Sequence, residues 1–434
     1  MSDAEERQHW RDVVRAFDGY MQYHLSANNA RRMAFLQQPR DARAAYEAVG
    51  YRDKLDAVDE GIRRNAEFVD LVIQDPVFAE MLMEGGGGDG HGGHGHGAGH
   101  GHSHDAHAHS HDHAHDHGHG HSHAAHDHPA PAPSPPHARP TQAERDASQD
   151  KVRSTLRSFA RDWSAEGAAE RAAAYDPIIA ALEAYYPDVG ARSRVRVLVP
   201  GCGLGRLAME VAARGFEAQG NEFSTFMLIA SNFVLNQSTH SNAHVLFPWL
   251  HGFSNHQTTA NGLLRSVLVP DVVPADILAG RPEGAFSLVA GDFEEVYGPQ
   301  HWGDGAGGGS DEGGNADQRG RWGAVITCFF IDTARNVLNY LRIIHTILAE
   351  GGVWINLGPL LWHFENSPTA SARGEVGSID LSLDEVKELA RGVGFEIREE
   401  KMVRSTYTGV PDSMLEHVYN CAFWTATKLP KAAA

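Results

Sequence analysis

The sequence predicts an α/β fold: a doubly wound, mostly parallel sheet that ends in an antiparallel hairpin and follows an N-terminal helical region. Three observations carry that expectation. From residue 195 onward, short apolar strand-like runs alternate with helical periodicities, the order that builds a parallel sheet covered by helices. The first run leads directly into a glycine-rich turn that opens a helix, in "VLVPGCGLGRL". The last two β-rich runs, 395–403 and 419–427, follow one another without an intervening helical pattern, as a hairpin does.

Residues 4–83 read as helical. Trp10, Val13, Val14, Phe17, Tyr20 and Met21 form one apolar stripe at helical spacing, and Leu55, Val58, Ile62, Phe68, Leu71 and Val72 form a second. Each stripe has to be buried, either against the α/β domain or in a homodimer. Residues 85–140 differ in kind: 18 of the 28 histidines fall between His91 and His137, in runs such as "GHGHSHDAHAHSHDHAHDHGHGHSH", and "PAPAPSPP" follows. So little of this can be buried that the entropy of ordering is not offset, and a disordered insertion is expected. Dense imidazoles bind Zn²⁺, Ni²⁺ or Cu²⁺ in principle, but a repeat offers no single preorganised geometry for a reaction site.

Helical signal resumes at Lys151, and the domain is read as 141–430. Strands are expected at 195–200, 216–222, 286–293, 322–330 and 353–357, with helices after Gly205, through "FMLIASNFVLN", over 333–348 and over 383–390. The glycine-rich, acidic loop 303–320 reads as a surface insertion. A net charge of −19 argues against a nucleic-acid partner, because phosphate binding needs concentrated Lys and Arg. Three distant cysteines, Cys202, Cys328 and Cys421, suggest neither a disulfide framework nor a thiolate zinc site. No signal peptide and no apolar run of membrane-spanning length is read, so a cytoplasmic protein is expected, with the nucleus left open.

In "VLVPGCGLGRL" the glycines stand at 201, 203 and 205, where they let the backbone turn sharply and a ligand approach the main chain. Arg206 occupies the place where a dinucleotide-binding G-x-G-x-x-G would carry its third glycine. Glu222 ends the second strand, 17 residues after Gly205, where a carboxylate can accept both ribose hydroxyls of a nucleoside. Asp292 is placed to accept from an adenine amino group, with Phe293 flanking the ring, although Asp at a strand end is also ordinary turn chemistry. A pyrophosphate needs close backbone packing where Arg206 stands; S-adenosylmethionine carries no phosphate. A Rossmann-like domain with that methyl donor is therefore expected rather than one using NAD.

Asp332, in "TCFFIDTARN", lies at the carboxyl end of the fourth strand, where open α/β sheets bind ligands. The same position suits an N-cap for the helix that follows. His363, in "INLGPLLWHFEN", falls over the same edge, and Tyr407 lies near the start of the final hairpin.

The blocks "SFARDWSAEGAAER", "VLVPGCGLGRLAMEVA", "QGNEFSTFMLIASNFVLN", "AGDFEEVY", "TCFFIDTARN", "WINLGPLLWHFEN" and "STYT" closely resemble the carnosine N-methyltransferase family. So does "YRDKLDAVDEGIRRNAEFVDLVI" in the N-terminal region. The resemblance implies the class I methyltransferase fold and methylation of an imidazole nitrogen of carnosine (β-alanyl-histidine), giving anserine. By position it assigns Arg161, Gly201, Glu222, Asp292, Phe293 and Cys328 to the donor, with Gly203 in the same loop. It assigns Asp332, His363 and Tyr407 to the dipeptide. Ser158 and Arg335 depart from residues found in relatives, Gln and His. The acceptor nitrogen must present a lone pair, so the ring must be neutral and in the right tautomer. A carboxylate that accepts the other ring N–H fixes that tautomer and offsets the charge that develops, the role expected of Asp332 with no metal. A protein-histidine methyltransferase is the closer alternative, and a histidine-rich metal-binding protein the more distant one.

Overall fold

The computed structural model describes residues 3–76, 140–301, 317–365 and 377–429. The expected histidine-rich insertion, apart from residue 140, and most of the glycine-rich loop lie outside the described residues. In chain order the described strands are β1 (Arg196–Pro200), β2 (Glu217–Glu222), β3 (His244–Leu246), β4 (Val267–Val269) and β5 (Phe286–Ala290). They continue with β6 (Trp322–Cys328), β7 (Leu348–Gly358), β8 (Phe395–Ser405) and β9 (Tyr419–Lys428). Seven of them make one sheet in the order β5-β2-β1-β6-β7-β9-β8. Only β9 runs antiparallel, to both of its neighbours, so the expected hairpin is present with its second strand inserted against β7.

Local sequence explains these positions. The run Val197, Leu198 and Val199 is apolar on both faces, as a central strand covered on both sides requires, and all three are buried. By contrast β8 reads "FEIREEKMVRS", with charges that suit a sheet edge, and a register shift between Arg398 and Lys401 bulges it. The strand expected at 286–293, β5, stops at Ala290, because Asp292 caps a short helical turn, Phe293–Tyr297. The helix expected from 333 begins only at Val337, with Asn336 as its cap. Strands β3 and β4 pair in a separate small sheet inside the stretch that reads as irregular.

Helices α1 (Asp3–Asp18), α2 (Tyr20–Leu36), α3 (Arg40–Ala48) and α4 (Tyr51–Val72) form the N-terminal region. They are followed by α5 (Gln142–Trp163), α6 (Ala168–Tyr185), α7 (Arg206–Ala213) and α8 (Thr225–Asn236). The last two long helices are α9 (Val337–Ile347) and α10 (Leu383–Val393). Both N-terminal stripes are buried against the α/β part: Val13, Phe17, Val58 and Ile62 share one core with Phe159, Phe226, Phe233 and Trp249. Met21 falls at the margin of its stripe and is 45% exposed, whereas Tyr20 and His24 carry the buried face on from Val13 and Phe17. Asn65 on α4 donates to Phe247 O (3.0 Å) and accepts from Phe247 N (2.8 Å), tying α4 to the segment after β3 with a pair of bonds like those of a strand.

Candidate active site

The glycine turn after β1 folds onto the end of β2. Gly201, Gly203 and Gly205 all have positive φ. A Cβ at Gly201 would stand 2.5 Å from the Phe330 ring, so both the turn and the close approach require glycine there. Gly203 N donates to Glu222 Oε2 (2.8 Å), while Phe223 N (2.9 Å) and Ser224 N (2.8 Å) donate to Oε1. Burial raises the Glu222 carboxyl above its ordinary range, and these three N–H groups work against that rise. Oε1 is saturated by two donors, and Oε2 keeps one of its two acceptor positions. The geometry thus leaves Glu222 room for one strong external donor rather than for two.

Asp292 Oδ1 accepts from Glu294 N (2.8 Å) and Glu295 N (3.1 Å), the N-cap arrangement, which leaves Oδ2 turned to other partners. Phe293 is only 2% exposed. Its ring packs edge-on against Phe330 and Tyr340, so it backs an aromatic wall beside Gly201 and offers no open face of its own.

On the other side of the turn, the end of α5 carries a buried polar network. Arg161 donates to Asp162 Oδ1 (2.7 Å), its Nε lies 3.2 Å from Glu170, and its guanidinium stacks 4.1 Å over the Tyr407 ring. Cys328, at the end of β6, is hydrogen-bonded to the Arg161 side chain, and burial pushes its thiol up to about 12, so it stays protonated. Ser158, one turn earlier on α5, is buried, whereas Arg335 lies 4.0 Å over the Phe364 ring.

Glu170 on α6 is the residue that sequence reasoning missed. It sits inside a family-like block, yet nothing in its spacing reveals a partner more than 230 residues away. Its carboxylate accepts from Thr406 Oγ1 (2.7 Å), Thr408 N (2.7 Å) and Gly409 N (3.1 Å), clamping the loop that carries Tyr407. Thr408 holds a positive φ in that clamp. Asp162 and Tyr175, which share a hydrogen bond of 3.1 Å beneath Arg161, were missed as well, because helical periodicity does not show that two polar side chains on successive helices meet. Arg206 has a structural role: it pairs with Asp271 (2.6 Å) and Glu210 (2.9 Å).

Asp332 lies in a tight turn, Ile331–Thr333, and is 3% exposed. It does not cap the following helix, because Asn336 Oδ1 takes that place by accepting from Leu338 N (3.1 Å). Its own Oδ2 accepts from Leu361 N (2.9 Å), and its carbonyl accepts from His363 N (3.1 Å). The exit of β7 is thereby stitched to the exit of β6. Desolvation pushes the Asp332 carboxyl up to about 7, against the pull of the Leu361 N–H. Phe329, three residues earlier, holds φ +53, and its ring packs 4.9 Å from that of Tyr407. Gly358 on β7 admits this strained backbone, since a Cβ there would meet Phe329 N at 3.2 Å.

The structure therefore joins Gly203 to Glu222, Arg161 to Cys328 and Tyr407, and Asp332 to His363, all at the carboxyl edge of the sheet. Residues 138–430 match the family model described as carnosine N-methyltransferase. The chain is 42% identical over 278 residues to the carnosine N-methyltransferase of Schizosaccharomyces pombe, covering 63% of this chain and 69% of that protein. It is 43% identical over 281 residues to that of Mus musculus, covering 64% of this chain and 63% of that protein. Against the Dictyostelium discoideum protein the identity is 36% over 278 residues, with 54% of that protein covered.

Proposed function

The chain belongs to the carnosine N-methyltransferase family, and from that premise we propose that it transfers a methyl group from S-adenosylmethionine to an imidazole nitrogen of carnosine. The observation that carries the reading is Asp332: a buried carboxylate at a strand's carboxyl end, titrating near 7, that caps no helix. When bound, the donor supplies an electrophilic methyl group on a sulfonium. Glu222 Oε2 would hold one ribose hydroxyl, Asp292 Oδ2 would take the adenine amino group, and the turn at Gly201 and Gly203 would admit the ligand against the main chain. Arg161 and the protonated Cys328 close the far side.

The reaction then depends on what the protein does to the acceptor ring. Above pH 7 Asp332 is ionised and accepts the ring N–H that faces away from the donor. That bond fixes the tautomer whose other nitrogen carries a lone pair. As the methyl group transfers, the ring becomes cationic and the same bond strengthens, which lowers the barrier rather than merely tightening binding. His363 and Tyr407 border the ring, Tyr407 held in place by Arg161 and Glu170. A labelled-donor assay with carnosine, homocarnosine and histidine-containing peptides tests the proposal. Methyl transfer to carnosine in preference to the peptides is expected, and transfer to the peptides alone would replace it with the protein-histidine reading.

A further inference from the structure

A cavity of about 450 Å³ lies between α5, the loop around Trp249–Asn255 and the segment after β8. It adjoins the site described above, since Arg161 and the two neighbours of Tyr407, Thr406 and Thr408, line it. Its wall carries a positive charge that has no ion-pair partner among the described residues. Arg157 faces the cavity from α5, its Nε is fully buried without an acceptor, and no carboxylate pairs with it among the described residues. The charged side chain that acts on it most is another cation, Arg153. The indole N–H of Trp249, on the same wall, is also buried without an acceptor. A half-buried cation whose Nε has no acceptor, with an unfilled donor beside it, favours an anion at this wall. At the rim the signs reverse: Glu166 and Glu416 line the cavity, are exposed, and have no cationic partner among the described residues. A cationic floor under an acidic rim disfavours a multiply charged phosphate and suits a molecule with one charge of each sign.

We propose that this cavity binds a small zwitterionic amino acid or dipeptide, its carboxylate on Arg157 and Trp249 and its ammonium at Glu166 and Glu416. The carboxylate has two possible sources, the acceptor dipeptide itself or a separate zwitterion, and the two are separable by experiment. Calorimetry on the full chain would use β-alanyl-alanine, which has both charges and no imidazole, and β-alanylhistamine, which has the imidazole and no carboxylate. Wild type is expected to bind β-alanyl-alanine, Arg157→Gln to bind it at least tenfold more weakly, and Trp249→Phe to weaken it severalfold. Binding of β-alanylhistamine should not respond to Arg157→Gln. Equal β-alanyl-alanine affinity in wild type and Arg157→Gln, or none in wild type, overturns the proposal. So does a melting temperature of Arg157→Gln well below wild type, which would show the cation balanced within the fold. A raised KM for carnosine methylation in Arg157→Gln identifies the acceptor as the source, and an unchanged KM with lost β-alanyl-alanine binding identifies a separate ligand. Absence of carnosine methylation in wild type refutes the proposed function alone, because β-alanyl-alanine binding is read without turnover.

Discussion

At Asp332 one side chain sets both a rate and a stability, in opposite senses. Asp332→Asn keeps the size and can still accept from Leu361 N, but it lacks the charge that stabilises a forming imidazolium. Loss of one such electrostatic contact costs on the order of 10²–10³ in rate. The variant is expected to fold, to bind S-adenosylmethionine, and to lose most turnover of carnosine; a well-folded variant with near-normal kcat would remove Asp332 from the mechanism. In wild type kcat/KM should rise with pH through a midpoint near 7, because only the ionised carboxylate of the free enzyme can accept the ring N–H. Stability moves the other way. The carboxyl titrates near 4 when unfolded and at about 7 when folded, so between those values the folded state binds the extra proton. Wild-type stability contributed by this group is therefore full below pH 4 and is lost as pH rises to 7. Melting curves should show Asp332→Asn gaining on wild type across that window, by at most about 4 kcal/mol, and level beyond it. At Glu222 the demand is simpler. Glu222→Ala removes the acceptor for the donor's ribose and frees the Gly203 turn, so calorimetry should show S-adenosylmethionine affinity reduced by at least about tenfold.

Elements place these side chains, and the element most exposed to test is the loop 406–409. Three bonds from that loop end on one carboxylate of α6, Glu170, which also contacts Arg161. Glu170→Gln cannot receive all of them, because its amide presents one oxygen. The Tyr407 ring should then lose its fixed position between Arg161 and Phe329, raising KM for carnosine about tenfold with a smaller change in kcat. If Glu170 acts through Tyr407, its substitution should add little on top of Tyr407→Ala, a coupling that a double-mutant cycle measures. Simple additivity of the two would show that Glu170 supports the fold generally. What the sequence made legible follows the same division. Strands, helices and the glycine turn were readable because periodicity and turn chemistry are local, and Glu222 could be placed from its spacing to Gly205. The clamp was not, because Glu170 is an ordinary helical glutamate until the fold brings residue 408 to it. Asp332 was ambiguous between cap and catalyst for a local reason too: the tight turn at 331–333 delays the helix by one turn and hands the cap to Asn336.

For the whole molecule, the boundary of the matched family region and the boundary of the core do not coincide. The family match begins at residue 138, yet the core around Phe159, Phe226 and Trp249 is completed by Val13, Phe17, Val58 and Ile62. Asn65 and Tyr20, both buried, add hydrogen bonds to Phe247 and His251 across the same junction. Removing residues 1–76 would therefore expose a large apolar face on α5 and α8 and leave the segment after β3 without its partner. Deleting residues 86–136 removes none of the residues in that core. Nine residues (77–85) and three (137–139) then remain as a connection that reaches roughly 40 Å when extended. The two deletions should consequently behave in opposite ways. The chain lacking 86–136 is expected to melt within a few degrees of wild type, bind S-adenosylmethionine normally and retain its turnover. The chain lacking 1–76 is expected to aggregate or to lose donor binding, because α5 carries both the exposed apolar face and Arg161. A soluble, donor-binding 138–434 fragment would show that the N-terminal helices are an accessory layer. Loss of turnover on deleting 86–136, restored by zinc only in the full-length chain, would instead assign the histidine tract a part in the reaction.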